Sequence, residues 1–251
     1  MYKILANTLF LGKDLLYLPE CHSTNDVALQ KHKNKEASEG SIIITDTQTA
    51  GRGQRGNRWD SEPHQNLTFS LVLTPHFLTP GQQFELNMAI SLGIRAGLSP
   101  FVPDVLVKWP NDIVHAVQGK LGGVLIENTI NHRRIELSII GIGLNINQTA
   151  FAQPNTSSLA TITGATFNKE MVFASVVTHI EKFYLLLKNQ GVQQLKTCYL
   201  SNLFRLGKLS PYDDGEKFLG TIAGITDEGK LIIQKESGSV REYAFKEVRF
   251  G

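Results

Sequence analysis

Residues 51–59 read Gly-Arg-Gly-Gln-Arg-Gly-Asn-Arg-Trp, a run that no packed core, helix or regular strand calls for. Its three glycines leave nothing to fill an interior, and they let backbone N–H groups approach where a Cβ would keep them away. Its three arginines are permanent planar cations that can grip a carboxylate or phosphate with two parallel hydrogen bonds. The run therefore has to be a surface loop, and the rest of the fold has to be built around its two ends. Taken alone, such a loop is most simply a solvated segment. The alternative is a mobile cationic lid closing over a small anion, and its neighbours decide between the two. Gly51-x-Gly53-x-x-Gly56 matches a bare dinucleotide pattern, but residues 57–63 (Asn-Arg-Trp-Asp-Ser-Glu-Pro) cannot open the helix that pattern needs, and G-x-x-x-x-G-K-[ST] is absent.

The 251 residues suffice for one large domain, or for one medium and one small. A formal net charge of +2, from 25 basic and 23 acidic side chains, argues against a dedicated nucleic-acid binder. No apolar run reaches bilayer length and no secretory signal core is present, so no membrane association is expected. Two cysteines, Cys21 and Cys198, make no disulfide framework, and a cytoplasmic setting is expected.

On the N-terminal side, residues 15–18 form an apolar strand ending at Pro19. The string Ser23-Thr24-Asn25-Asp26 then opens a helix running to about residue 35, where capping alone would explain Ser23 or Thr24. Cys21 beside His22 suggests a nucleophile, but adjacent strand residues point to opposite faces and the pair reads as incidental. Residues 41–45 are a buried strand that leads through Gln48 into the glycine-arginine loop. Beyond the loop, residues 66–73 alternate polar and apolar as a half-buried strand. A helix after Pro80 extends to about residue 98.

A strand at 105–108 runs into Trp109-Pro110-Asn111-Asp112, and the apolar pattern then resumes at Ile113. A carboxylate between two apolar stretches is expected to be paired or bound. Residues 119–127 form a strand with Gly122-Gly123 near its start, where Lys120 alone would be an ordinary solvated hairpin residue. The returning strand, 133–147, places Gly141 and Gly143 on one face, open enough for a flat ligand, and Asn145 and Asn147 continue that side. Residues 148–167 read as a flexible loop. Helices follow from Asn168 to Gly191 and over 192–204, the first of them as pure scaffold. Regular turn signals beyond Gly207 point to a small all-β barrel, with a boundary at 204/205. The class is α+β, a mixed sheet backed by helices plus that barrel.

Ser23-Thr24-Asn25, Gln48 leading into Gly51-Arg52-Gly53-x-Arg55-Gly56-x-x-Trp59, Lys108-Trp109-Pro110-Asn111-Asp112, Lys120 to Glu127 and Gly141 to Asn147 come in an order and spacing that resembles the biotin protein ligases. Each motif alone is weak, and five in series are strong. The resemblance implies a catalytic domain like that of class II aminoacyl-tRNA synthetases, in residues 1–204, and an SH3-like domain in 205–251. It also implies a two-step reaction. Biotin and MgATP give biotinyl-5′-AMP, whose acyl group then passes to one lysine of a biotin carboxyl carrier protein, such as that of acetyl-CoA carboxylase.

In that scheme Ser23, Thr24 and Gln48 address the ureido end, and Asn25, Gly51, Arg52, Lys120 and Gly123 complete the biotin site. ATP or adenylate falls to Arg52, Gln54, Arg55, Trp59, Lys120, Asn145 and Asn147. The catalytic groups are Lys120, Asp112, Arg52 and Arg55. Asp112 either orients the acceptor amine or is the one candidate Mg²⁺ ligand.

Two departures from the family pattern matter. Gln54 stands where the family often has arginine, so Arg55 or Arg58 is expected to carry part of that charge. About fifteen residues precede the first strand, too few for the DNA-binding module of many bacterial relatives, so no sequence-specific DNA binding is expected. Oligomeric state is not legible, and a homodimer stays open. The competing readings are a lipoate–protein ligase, whose Arg-Arg-x-Ser-Gly-Gly-Gly string is absent here, and a non-catalytic biotin or adenylate sensor.

Overall fold

The computed structural model describes Leu5 and residues 7–251, except for the side chain of Arg55. The first strand, β1 (Leu15–Cys21), leads into helix α1 (Thr24–Lys33) and then β2 (Ile42–Gln48). β1 and β2 are parallel, so α1 is the crossover of a βαβ unit. The remaining strands of the first sheet, β3 (Leu67–Leu73), β4 (Val105–Lys108), β5 (Asp112–His115), β6 (Gly119–Ile130) and β7 (Ile135–Leu144), all pair antiparallel. Helix α2 (Gln83–Leu98) separates β3 from β4. The strand order is β1-β2-β3-β7-β6-β5-β4, a mixed sheet of seven. After it come α3 (Leu159–Thr163), α4 (Lys169–Lys188) and α5 (Val192–Ser201). A second sheet of five antiparallel strands is ordered β11-β10-β9-β8-β12. Its strands are β8 (Leu209–Asp213), β9 (Lys217–Ile225), β10 (Leu231–Lys235), β11 (Val240–Tyr243) and β12 (Arg249–Phe250).

The first sheet is covered unequally. One face carries the main core, where Ile42, Ile44, Phe69 and Leu71 meet α2 and α4, and that core continues into Tyr212, Ile233 and Tyr243 of the second sheet. Each such buried aliphatic or aromatic side chain contributes roughly 1.5–3 kcal/mol. The other face carries only α1, with Ala28 packed over Ile43, Val72 and Ile139. Beyond the N-terminus of α1 the residues on that face turn small or polar, and this bare floor is where the site forms.

Several local expectations change once the neighbours are in place. β1 continues past Pro19 to Cys21, because β1 is an edge strand and Pro19 needs no ladder donor on its open side. β3 was expected to be half-buried and is buried throughout, since it lies between β2 and β7 and its polar Thr68 and Ser70 face the floor under α1. The returning strand stops at Leu144 rather than 147. Residues 148–167 are not a free loop, because Ser157 N–H donates to Lys120 O (2.8 Å) and α3 is capped at Ser158. β8 and β12 had no clear sequence signal, one being interrupted by Pro211 and the other only two residues long.

α4 is scaffold in a specific sense. The buried Glu181 carboxylate accepts N–H bonds from Leu9, Phe10 and Leu11 at 2.6, 2.8 and 2.8 Å, tying the segment before β1 to the helix layer. α2 and α4 touch backbone to backbone. A Cβ on Gly97 would lie 2.5 Å from Val176 Cα, and one on Gly93 would lie 2.5 Å from Ile180 Cα. Gly97→Ala gains about 1 kcal/mol of helix propensity. No rotamer relieves the collision with Val176, so the net expectation in urea unfolding is a loss of about 1–3 kcal/mol.

Candidate functional site

The floor is a row of register partners crossing four strands. Asp112 pairs with Gly123, Gly123 with Gly143, and Gly143 with Thr68. In the next row Leu125 pairs with Gly141 and Gly141 with Ser70. With glycine at three of these positions, groups from elsewhere lie directly on the sheet. Asn25 covers Gly141, Trp59 covers Gly143, and the Asp112 and Lys120 side chains meet over Gly123.

At the inner end Ser23 holds the N-cap position of α1 with extended backbone (φ −158°, ψ 127°), yet its side chain caps nothing. Capping therefore does not account for it, and the buried Ser23 lines the cavity instead. Gln48 Oε1 accepts from the Thr24 N–H (2.7 Å) and hydroxyl (3.1 Å). Ser70 Oγ lies 2.7 Å from Thr24 Oγ1 and 2.6 Å from Asn25 Oδ1. The result is an uncharged pocket of fixed donors and acceptors at the start of a helix. Cys21 lines neither the cavity nor the cleft beside it, and burial pushes its thiol pKa up.

The glycine-arginine run folds as a narrow hairpin. Gly53 N–H donates to Asn57 O (2.7 Å) and Trp59 N–H to Gly51 O (3.0 Å), with a single 3₁₀ turn, Gln54–Gly56, at the tip. Gly51 lies beneath the Trp59 carbonyl, which a Cβ would meet at 2.4 Å, and supports the hairpin rather than lining the cavity. The Trp59 indole rests on Gly143 with its Nε1 buried and unpartnered. Arg52 crosses to two carboxylates, Asp26 Oδ1 at 2.6 Å and Glu127 Oε2 at 3.2 Å. Arg58 pairs with Asp60 at 2.6 Å, both well exposed. Gln54 lines the cavity, and the Arg55 side chain lies outside the described residues.

Lys120 Nζ and Asp112 Oδ1 are 2.6 Å apart, so the carboxylate expected to need a partner has one. The pair stands where two spaces join. Inside is a cavity of about 60 Å³ bounded by the polar pocket, Arg52, Trp59 and the glycine floor. Outside is an open cleft of about 920 Å³, bounded by the hairpin, residues 108–112, the 148–156 segment and the second sheet. With the hairpin closed, the inner cavity falls far below the roughly 300–1,000 Å³ of typical ligand pockets. A larger occupant requires Trp59 and its hairpin to move.

The two asparagines separate. Asn145 is buried at the cleft wall with its amide donating to Ser157 O (3.0 Å). Asn147 lines neither space. It donates to Phe167 O (2.9 Å) and accepts from Phe167 N–H (2.8 Å), pinning the segment before α4. Its side-of-strand argument failed because the strand ends at Leu144, before the alternation reaches it.

Sequence reasoning missed Glu127, which also accepts from Asn25 Nδ2 at 2.6 Å, together with Asp26, Thr68 and the wall formed by the second sheet. Glu127 lies on the same strand face as Gly123 and Leu125, so period-two counting could have placed it on the floor.

Comparison with known proteins follows from this geometry. Residues 17–145 match the model of the Biotin/lipoate A/B protein ligase family, and residues 211–250 match that of the Biotin protein ligase C terminal domain. The bifunctional ligase/repressor BirA of Bacillus subtilis is 30% identical over 250 residues, covering 93% of this chain and 73% of the relative. The biotin–[acetyl-CoA-carboxylase] ligase of Mycobacterium tuberculosis is 24% identical over 218 residues, covering 84% and 79%. The solved structure of the Aquifex aeolicus biotin protein ligase in complex with biotin and ATP superposes with a TM-score of 0.78 at 27% identity, covering 95% of this chain and all of that one.

The indole seat gives a test. A Cβ on Gly143 would lie 2.3 Å from Trp59 Cε2. Gly143→Ala is therefore expected to unseat the hairpin, raising the rate of tryptic cleavage at its arginines about tenfold while the fold persists.

Proposed function

The chain belongs to the biotin/lipoate A/B protein ligase family, and on that premise we propose that it is a biotin–protein ligase. One observation carries the choice of substrate. An uncharged pocket of matched donors and acceptors (Ser23, Thr24, Gln48) opens past a lysine–aspartate pair into a cleft bearing further cations. A ureido ring is neutral and needs both donors and acceptors, whereas the reacting carboxylate and the α-phosphate are anions that must be brought together.

The residues divide the work accordingly. The inner pocket holds the ring, and Arg52 and Lys120 offset the charge where the carboxylate oxygen attacks the α-phosphorus. Orientation and charge compensation supply most of the rate in such a step. Closure of the hairpin over the adenylate keeps water from the mixed anhydride. Among the described residues no group of three His, Cys, Asp or Glu could cage a metal. Asp112 is the residue that would hold Mg²⁺ arriving with ATP, and the ion would spread the phosphate charge there. Asp112 alternatively receives and orients the acceptor amine, and Asn145 sits at the wall for phosphate or ribose. Arg58 carries part of the charge missing at Gln54 once it leaves Asp60.

The acceptor is the lysine of a biotin carboxyl carrier domain, that of acetyl-CoA carboxylase being the first to try. We assign adenylation to residues 1–204 and a wall of the cleft to 205–251. Among the described residues no helix is long and apolar enough to cross a membrane, and we propose cytoplasmic action without sequence-specific DNA binding.

Purified protein given MgATP is expected to exchange pyrophosphate into ATP in the presence of biotin but not lipoate, and to add one biotinyl group to a carrier domain by mass spectrometry. Lys120→Met is expected to lower the adenylation rate by about 10²–10³. Exchange that depends on lipoate, or carrier labelling that is indifferent to Lys120, would overturn the assignment.

A further inference from the structure

Glu127 does more than meet Arg52 at the mouth of the cavity. From its carboxylate one row of polar atoms runs inward through β6, α1, β3 and β2 to Gln48. Asn25 Nδ2 donates to Glu127 Oε2 at 2.6 Å, Asn25 Oδ1 lies 2.6 Å from Ser70 Oγ, and Ser70 Oγ lies 2.7 Å from Thr24 Oγ1. Thr24 Oγ1 lies in turn 3.1 Å from Gln48 Oε1. Asn25, Ser70 and Thr24 are all buried. Among the described residues the Asn25 amide and the Ser70 hydroxyl have no hydrogen-bond partner outside this row.

The protons available along the row fix its direction. A carboxylate only accepts, so the Asn25 amide turns its nitrogen to Glu127 and its oxygen to Ser70. That oxygen carries no proton, and its 2.6 Å contact is a hydrogen bond only if the Ser70 hydroxyl donates. With the one Ser70 proton committed there, the 2.7 Å contact with Thr24 needs the Thr24 proton. The Thr24 hydroxyl can donate to Ser70 or to Gln48, not to both. The opposite direction, from Ser70 through Thr24 to Gln48, leaves two bare oxygens 2.6 Å apart in a buried place, where an unmade hydrogen bond is most costly. Donation toward Glu127 gives up only the longest contact of the row, and Gln48 Oε1 keeps the Thr24 N–H at 2.7 Å. Bonds arranged head to tail in this way also polarise one another.

The consequence lies at the inner end. Thr24 lines the cavity. With its proton turned to Ser70, its hydroxyl oxygen has only lone pairs to offer a ligand. Resting on the biotin-ligase reading, we infer that Glu127 and Ser70 are positioning residues that set the polarity of this wall, so that Thr24 accepts an N–H of the ureido ring. Neither lines the cavity, and both act through Asn25 and Thr24. Without an acceptor at position 127 the Asn25 amide is free to turn over. Ser70 and Thr24 can then reverse, and the wall offers a proton where the ligand brings one. Glu127 also pairs with Arg52 at 3.2 Å. The two duties separate by chemistry, because Arg52 responds to the charge at position 127 and Asn25 only to an acceptor oxygen.

The test titrates biotin calorimetrically into the parent and its variants, and beside it biotinol, the alcohol that lacks the carboxylate. Glu127→Met removes the acceptor and is expected to weaken both ligands about tenfold. Glu127→Gln still presents an oxygen to Asn25, and should bind biotinol within about threefold of the parent. Ser70→Ala interrupts the row and should match Glu127→Met. The double variant Glu127→Met/Ser70→Ala should bind no more than about twofold more weakly than either single one, because both act along one path. The inference fails if Glu127→Met weakens biotin but leaves biotinol within twofold, since the effect then runs through Arg52 and the ligand carboxylate. It fails equally if Glu127→Gln loses as much as Glu127→Met, or if the two single effects multiply in the double variant. A parent protein that binds neither biotin nor biotinol would instead overturn the functional reading itself.

Discussion

The site depends on the absence of side chains along one line of the first sheet. Gly123, Gly141 and Gly143 lie on the same face in adjacent strands; a methyl on Gly141 or Gly143 would collide with the Asn25 side chain or the Trp59 ring, and the Asp112–Lys120 pair lies in contact over Gly123. Bare backbone there lets the N-terminus of α1, the hairpin of residues 51–59 and the Asp112–Lys120 pair converge within one small volume. Larger residues at these positions would lift those three elements off the sheet, and the remaining polar groups would face solvent separately. The same line explains why α1 covers only part of its face. Its apolar contact ends with Ile43, Val72 and Ile139, where the floor becomes polar.

Electrostatics then sorts the arginines and lysines by partner rather than by motif. Arg52 is the most prominent cation of the hairpin, yet it is held by Asp26 and Glu127 across the mouth of the cavity. Exposed pairs of this kind contribute only about 0.2–1 kcal/mol each. They are weak enough to exchange for a substrate carboxylate and strong enough to set where the guanidinium waits. Trp59 adds a steric counterpart, filling space that a ligand's ring would need until the hairpin moves.

Much of this was legible in the residues. Period-two alternation put Gly141 and Gly143 on one face, the isolated carboxylate at Asp112 called for a partner, and the turn signals beyond Gly207 marked a second sheet. Where the reading failed, a neighbour overrode a local pattern. Pro19 does not end β1 because the strand is an edge, β3 is central and so buried on both faces, and Asn147 lies beyond the last strand residue and braces Phe167. Polar residues 148–167 looked loose, yet they are pinned along β6 by bonds that no composition reveals.

What the sequence determined by itself is therefore local: which stretches alternate, where glycine empties a strand face, which loop is cationic, and in what order the motifs run. These follow from the φ/ψ preferences and side-chain periods of neighbouring residues. Tertiary structure alone decided which of them meet. Asn25 and Glu127 are 102 positions apart and share a hydrogen bond. The Lys108 ammonium faces a ring supplied by the second sheet. Such meetings depend on how two sheets and the helices on either face of the first close together, and no spacing along the chain encodes that distance.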